Sequence, residues 1–115
     1  MAIDEIELAN EIGKVIARRR QAAKLTQEEV AEKLGVGNEA VSRLERGVVV
    51  PTIIRLVELA SIFNCAASDF LSEASSLPAD QSRELLRMLE GLKPQDRMML
   101  VELVQKLSSR LKECR

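Results

Sequence analysis

The sequence predicts an all-α fold, and three observations lead to that prediction. The 115 residues are 46% apolar but include only two Phe and no Trp or Tyr, so aliphatic residues and Met must supply the core. Apolar residues recur at the i, i+3, i+4 spacing of a helix through most of the chain. Few segments show the alternating β-branched pattern of a strand. A chain of this length can bury one core and carry a small extension.

The first helix is predicted from about Ile6 to Ala23. Its inward side chains are expected to be Leu8, Ile12, Val15, Ile16 and Ala23. The end of this helix is basic, with Arg18, Arg19, Arg20 and Lys24. Positive side chains complement the dipole at a helix C-terminus, so a structural role for some of them stays open.

Two short helices joined by a tight turn are predicted next. Thr26 and Glu29 have the spacing of a capping box, which begins a helix at Gln27. Gly35 lies where that helix must end, at a position that commonly adopts a positive φ. Ala31 is small enough for the two helix backbones to approach closely.

The third helix is predicted from Asn38 to Arg46, with Gly37 as its N-cap. If Val41 and Leu44 face the core, four polar residues project outward: Asn38, Glu39, Ser42 and Arg43. Asn can pair with adenine, Arg with guanine, and Glu can accept a hydrogen bond from cytosine. Ser is short and suits a phosphate. An ordinary hydrated helix face would have the same composition.

Two further helices complete the predicted domain. Thr52 caps a fourth helix whose inward residues are expected to be Ile53, Leu56, Leu59, Ala60 and Phe63. A short fifth helix from Ser68 to Leu71 closes the core with Phe70 and Leu71. Cys65 and Cys114 lack metal-ligand or CxxC spacing, so we expect a buried thiol and a terminal thiol. Residues 1–72 therefore form one predicted domain.

A linker and a C-terminal helical hairpin are predicted after this domain. Residues 73–80 are small and polar and include Pro78. Residues 81–115 contain a helix from Gln81 to Glu90 and a helix from Pro94 to about Lys112. The last helix has an apolar stripe too broad for a small helix pair to bury, and we expect it to dimerise the chain through Met98, Leu100, Val101, Val104, Leu107 and Leu111. Packing against the chain's own domain is the alternative.

The spacing of seven residues resembles the helix-turn-helix of the Cro/phage-repressor (XRE-type) regulators: Gln27, Ala31, Gly35, Val41, Leu44, Glu45 and Gly47. The resemblance covers about residues 12–71. It implies a five-helix repressor-like DNA-binding domain whose third helix enters the major groove of double-stranded DNA. It also implies that Arg20 pairs with Glu45 and that Gln27 contacts a phosphate. Arg46 is a further candidate for phosphate contact.

The sequence therefore predicts a dimeric, sequence-specific transcriptional regulator, most simply a repressor that binds a palindromic operator. The alternative is a protein-interaction module of the same fold, because Glu39 introduces a carboxylate beside the phosphates and the net charge is −1. Local charge favours DNA, since residues 14–55 hold nine Lys and Arg against five Asp and Glu.

Other classes of protein are disfavoured. The chain has no His, no Gly-rich phosphate loop and no cluster of metal ligands, so we expect no catalysis, no metal, no cofactor and no small-molecule ligand. No apolar run reaches the ~18 residues needed to span a bilayer. The N-terminus is acidic where a signal peptide would be basic. We therefore expect a cytoplasmic protein without a membrane partner.

Overall fold

A computed structural model describes residues 3–114 of the chain. Over these residues all regular secondary structure is α-helical and there is no strand, which confirms the all-α prediction. The seven helices are α1 (Glu5–Ala22), α2 (Gln27–Leu34), α3 (Asn38–Glu45), α4 (Ile53–Phe63), α5 (Ala67–Ala74), α6 (Pro78–Leu89) and α7 (Pro94–Glu113). The chain divides into two compact units, one up to residue 81 and one from residue 82. No described helix combines the length and apolar composition that a membrane crossing requires.

The first unit has one aliphatic core to which each of α1–α5 contributes. Its most deeply buried side chains include Ile16, Val30, Val41, Leu59 and Phe70. The rings of Phe63 and Phe70 meet edge to face with centroids 6.3 Å apart, a favourable geometry for aromatic pairs. The two aromatic residues of the chain thus join α4 to α5.

The predicted caps of the second and third helices are present. Thr26 accepts a hydrogen bond from the Glu29 N–H at 3.1 Å, and the Glu29 carboxylate accepts one from the Thr26 N–H at 3.0 Å. Gly35 ends α2 in the left-handed conformation with φ of 74°. Gly37 is the N-cap of α3 and supplies no side-chain hydrogen bond. These local signals fix the bend between α2 and α3.

Four predicted inward residues are instead exposed: Leu8, Ala23, Ile53 and Leu71. In α1 the inward position beside Leu8 is taken by Ala9, which is buried. Ala23 lies beyond the last residue of α1, and Ile53 is the first residue of α4, one turn before the first buried residue of that helix, Leu56. Leu71 follows the buried Phe70 and points to solvent. Cys65 is half-buried rather than buried.

The connection after the fifth helix is shorter than predicted. The helix α5 extends to Ala74, and α6 begins at Pro78, so only residues 75–77 lie outside helices. Asp80, expected in the linker, lies in the first turn of α6, where its carboxylate accepts a hydrogen bond from the Ser75 hydroxyl at 2.6 Å. Proline at a first helical position loses no hydrogen bond, which explains the early start of α6.

The second unit consists of the remainder of α6 and the whole of α7. Among its described residues, no side chain of either helix is fully buried. Five of the six residues proposed for dimerisation expose between 47% and 69% of their surface, and Leu100 is half-buried. The unit therefore presents a broad apolar face to solvent.

Candidate nucleic-acid interface

The helix α3 is fixed on its inner face by burial. Val41 is fully buried and Leu44 nearly so, and both belong to the core shared with α1 and α4. The short α2 packs against α3 on the other side of the turn at Gly35. Because these contacts hold the backbone of α3, the direction of its outward side chains is set by the fold.

The crossing of α1 over the end of α3 is unusually close. A Cβ atom on Gly13 would lie 2.6 Å from the backbone oxygens of both Leu44 and Glu45. A Cβ atom on Gly47 would lie 2.6 Å from the Cα atom of Asn10. Real side chains do not approach that closely, so both contacts require glycine. The backbone of α1 therefore packs directly against the C-terminal end of α3.

The Glu45 carboxylate joins three helices. One of its oxygens accepts a hydrogen bond from Arg20 Nε at 2.7 Å, and the other accepts bonds from Arg20 Nη2 at 3.2 Å and from Gln27 Nε2 at 3.0 Å. Arg20 Nη1 also donates to the Leu25 carbonyl at 2.9 Å. The Arg20 and Glu45 side chains are only 15% and 7% exposed. The structure therefore brings together the two residues expected to form the ion pair.

The half-buried Gln27 is part of this same network. Its amide nitrogen donates toward the protein interior, to Glu45 Oε1. Gln27 was expected to contact a phosphate, and that role stays a prediction. Its amide carbonyl oxygen cannot bind a phosphate, because it is only an acceptor, so a contact would use the second amide N–H.

Asn38 and Arg43 lie exposed on the outer face of α3. Within residues 3–114, neither side chain has a hydrogen-bond or ion-pair partner. An amide and a guanidinium are the groups that pair with adenine and guanine edges in the major groove. The outer face of α3 therefore presents two side chains that are free to form hydrogen bonds with the edges of bases.

Glu39, Ser42 and Arg46 form a separate network along the same helix. Arg46 Nη2 donates to Glu39 Oε1 at 2.8 Å, and Arg46 Nε donates to Ser42 Oγ at 3.2 Å. The Glu39 and Arg46 side chains are 75% and 56% exposed, so water screens the pair strongly. The negative charge of Glu39, which disfavours DNA binding, is therefore partly neutralised by Arg46.

The basic end of α1 is directed toward acids of the same unit rather than left free. The Arg19 guanidinium hydrogen-bonds to Glu73 of α5 and lies 3.6 Å from Asp69. The hydrogen bond to Glu73 raises the pKa of Arg19. Arg18 lies 3.9 Å from the same Glu73 carboxylate. The local positive charge counted in the sequence is therefore reduced by partners from outside residues 14–55.

Sequence reasoning missed Gly13 and Glu73. The first had a detectable signal, because a glycine inside an otherwise good helix usually has a packing reason. Glu73 had none, since its partners are 54 and 55 positions away and it was expected to lie in a linker. Only the packing of α5 against α1 brings them together.

The known proteins that resemble this chain are regulators of transcription. A model of the helix-turn-helix family matches residues 16–70. The HTH-type transcriptional regulator ImmR of Bacillus subtilis (strain 168) is 30% identical over 95 residues, which cover 78% of this chain and 74% of that protein. The HTH-type transcriptional regulator y4dJ of Sinorhizobium fredii is 36% identical over 67 residues, covering 58% of this chain and 87% of the relative.

A phage protein is also similar. The cryptic phage CTXphi transcriptional repressor RstR of Vibrio cholerae is 27% identical over 88 residues, covering 76% of this chain and 79% of that repressor. The residues matched by the family model, 16–70, contain α2, α3 and all six residues proposed to contact DNA.

Proposed function

The chain belongs to the helix-turn-helix family of DNA-binding transcriptional regulators, and we propose that it acts as a dimeric repressor of a palindromic operator. The observation that carries the proposal is the outer face of α3, where Asn38 and Arg43 are exposed and uncommitted while the inner face is fixed in the core. Recognition helices of this motif place their N-terminal residues against base edges in the major groove.

Base recognition would come mainly from three residues. Asn38 can form two hydrogen bonds with an adenine, and Arg43 two with a guanine. Glu39 can accept a hydrogen bond from the amino group of a cytosine once Arg46 releases it. The operator half-site would then contain these bases in the order in which α3 presents their partners.

Phosphate contacts would come from the ends of the two helices. The second amide N–H of Gln27 stands in the first turn of α2, where backbone N–H groups also favour an anion. Arg46 follows the last residue of α3, and Ser42 is within reach of its guanidinium. These contacts would position the domain without selecting a sequence.

Dimerisation would use α7. Leu100, Val104, Leu107 and Leu111 repeat at spacings of four, three and four residues, a pattern typical of the apolar seam of a coiled coil. An exposed apolar face of this kind commonly marks a protein–protein contact. Two copies joined there would present two recognition helices to half-sites about one DNA turn, ~34 Å, apart.

Repression and cytoplasmic location follow from the same proposal. The relatives ImmR and RstR are named as a regulator and a repressor of transcription, which favours DNA binding over the alternative of a protein-interaction module. A dimer bound over a promoter would block access by occlusion. Such a protein would act in the compartment that holds the DNA, which is the cytoplasm of a bacterial cell.

Selection from a pool of random duplexes tests the proposal. The wild-type chain should enrich sequences with two-fold symmetry, and its affinity for them should fall steeply as salt rises. The variant Arg43→Ala should lose ~1–3 kcal/mol of preference at one base pair in each half-site. Binding constants for single-base variants of the selected duplex give this preference directly.

Arg110→Ala is the matched control because it removes the same charge from an exposed site on α7. It should leave base preference unchanged. Failure to enrich any sequence, or an equal loss of preference in both variants, would contradict base recognition by α3.

A further inference from the structure

The exposed residues of α3 include an apolar side chain, Ala40. The two apolar residues near it, Val41 and Leu44, are buried in the core, whereas Ala40 is exposed. Ala40 lies one helical turn before Arg43, and side chains three positions apart on a helix are neighbours, with Cβ atoms ~5–6 Å apart. Whatever Arg43 contacts in a major groove, Ala40 therefore lies beside it.

Ala40 also borders a shallow depression in the surface beside α3. The depression has a volume of ≈ 260 Å³, and its lining includes Ala40 and Arg43 from α3 and Val50 and Pro51 from the connection that follows this helix. Val50 exposes 67% of its surface. A small apolar group that entered the depression would therefore meet apolar atoms of both segments.

Two polar residues of the same lining are already engaged within the chain. Thr52 Oγ1 accepts the N-cap hydrogen bond of α4 from the Arg55 N–H at 3.0 Å, and the Arg55 guanidinium lies 3.3 Å from Glu58. The other polar side chain there is Arg43, which in the proposed complex pairs with a guanine. A group bound next to Arg43 would thus gain mainly from apolar contact.

The major groove of DNA presents one apolar group of suitable size. Among the four bases only thymine carries a C5-methyl group, and alanine is one of the side chains that contact it. The alanine side chain neither donates nor accepts a hydrogen bond, so it cannot pair with the polar atoms of a base edge. Successive bases of a strand are about 3.4 Å apart along the helix axis. Two side chains one helical turn apart can therefore reach adjacent base pairs.

We propose that Ala40 contacts the C5-methyl group of a thymine in the base pair next to the guanine recognised by Arg43. This inference rests on the proposed function and adds a specificity-determining residue to α3. The contact removes the methyl group from water, which favours binding. In 5-methylcytosine a methyl group is attached at the same ring position as in thymine. The chain should therefore also distinguish methylated from unmethylated cytosine at that base pair.

Single-base replacements in the selected duplex test the contact. Arg43→Ala first identifies the guanine, as the position at which base preference is lost. The thymine in the adjoining base pair of one half-site is then replaced by uracil, which lacks only the methyl group. This replacement should weaken binding by the wild-type chain about fourfold, the effect of exposing one buried carbon group.

The variant Ala40→Gly removes the methyl group of the protein that makes the contact. It should bind the thymine and uracil duplexes with equal affinity. Any loss of folded protein lowers both affinities by the same factor, so their ratio depends only on the contact. Ala79→Gly is the control, because Ala79 is an exposed alanine in the first turn of α6. This control should keep the thymine preference of the wild-type chain.

Methylated cytosine gives an independent readout. A duplex with a cytosine–guanine pair in place of the thymine–adenine pair is compared with the same duplex carrying 5-methylcytosine. Methylation should strengthen binding by the wild-type chain and by Ala79→Gly about fourfold. It should leave binding by Ala40→Gly unchanged.

The outcomes separate this inference from the proposed function. An operator with no thymine beside the Arg43-dependent guanine, or no methyl effect on the wild-type chain in either pair of duplexes, would overturn the Ala40 contact alone. A methyl effect that persists in Ala40→Gly would overturn it too, because another group would then contact the methyl. Failure to select a sequence, or to locate a guanine with Arg43→Ala, would overturn the proposed function and this inference together.

Discussion

The geometry of the helix-turn-helix depends most on one residue, Glu45. It receives hydrogen bonds from α1 and α2 while belonging to α3, and its side chain is 7% exposed. An ion pair removed from water in this way is costly to break, because the partner left behind keeps its charge without compensation. The ion pair therefore fixes α1 relative to α3, and the hydrogen bond from Gln27 adds α2 to the same network.

Glu45→Ala should lower the free energy of unfolding by about 3–5 kcal/mol, because it leaves Arg20 buried without its partner. Urea unfolding followed by far-UV circular dichroism measures this, since the chain has no Trp or Tyr for fluorescence. Glu39→Ala removes a carboxylate from an exposed pair and should cost about 1 kcal/mol or less. Similar losses of stability in the two variants would show that the buried ion pair of Glu45 contributes no more than an exposed one.

Removing both members of the buried pair should cost less than the sum of the single changes. In the double variant Arg20→Met with Glu45→Gln, no charge is left uncompensated. Unfolding at one fixed protein concentration keeps association from biasing the comparison. Strict additivity would mean that the two side chains do not act on each other.

The exposed pair of Glu39 and Arg46 is expected to affect DNA binding rather than stability. Arg46→Ala should weaken binding to every duplex and reduce the salt slope by about one, and it also leaves the Glu39 carboxylate unpaired near phosphates. Adding Glu39→Gln to that variant should therefore recover part of the lost affinity. Binding titrations of the single and double variants on one duplex decide the matter, and an unchanged or weaker double variant would contradict the coupling.

At the scale of elements, the crossing of α1 and α3 depends on one missing side chain. Gly13→Ala should gain up to about 1 kcal/mol in helix propensity but lose about 1–3 kcal/mol from overpacking against the backbone of α3. We expect a net loss of about 1–2 kcal/mol in the free energy of unfolding, measured in urea. Gly37→Ala is the control, because nothing lies within 4 Å of its added Cβ atom, and it should cost about 1 kcal/mol or less.

The capping box gives α2 a defined response to acid. The hydrogen bond from the Thr26 backbone N–H lowers the pKa of Glu29 below its ordinary value of 4.5. The folded chain therefore binds this proton less readily than the unfolded chain, so the contribution of Glu29 to stability is present above the ordinary value and is lost as pH falls through the lowered one.

Glu29→Gln keeps an acceptor in the capping box but removes its titration. Between about pH 5 and about pH 3 this variant should lose less stability than the wild-type chain. Thermal unfolding at a series of pH values compares the two slopes. Parallel slopes would show that the Glu29 carboxylate does not contribute to acid sensitivity.

Local signals predicted most of the helices, and long-range packing decided what they did not predict. The starts of α2, α3 and α4 followed from Thr26, Gly37 and Thr52, whose effects act over one turn. The exposure of Leu8 and Leu71 could not be predicted in this way. Helical periodicity identifies an apolar stripe but not which edge of the stripe packs against another helix. The partners of Arg19 were equally hidden from the sequence.

The candidate interface could also be predicted only in part from the sequence. The outward direction of Asn38 and Arg43 followed from the inward direction of Val41 and Leu44, since both depend on helical periodicity alone. The bond from Arg46 to Glu39 did not follow. It spans seven residues and requires a particular arrangement of two long side chains.

At the scale of the whole molecule, the proposed dimerisation through α7 sets how many copies act together. Val104→Asp places a charge in the middle of the proposed coiled-coil seam and should convert the dimer to a monomer at concentrations on the order of tens of micromolar. Sedimentation equilibrium measures this. Met99→Asp, at an exposed position outside the seam, should remain dimeric. A monomeric wild-type chain, or a dimeric Val104→Asp variant, would contradict association through α7.

The two faces of α3 have separate duties, and that separation has a practical consequence. Val41, Leu44 and Glu45 hold the helix in place, while Asn38 and Arg43 make no contact that the fold needs. The outer positions can therefore be exchanged as a set without disturbing the scaffold beneath them. If Asn38 and Arg43 recognise bases as proposed, substituting these few outer positions should replace the sequence preference of the domain while its fold is retained.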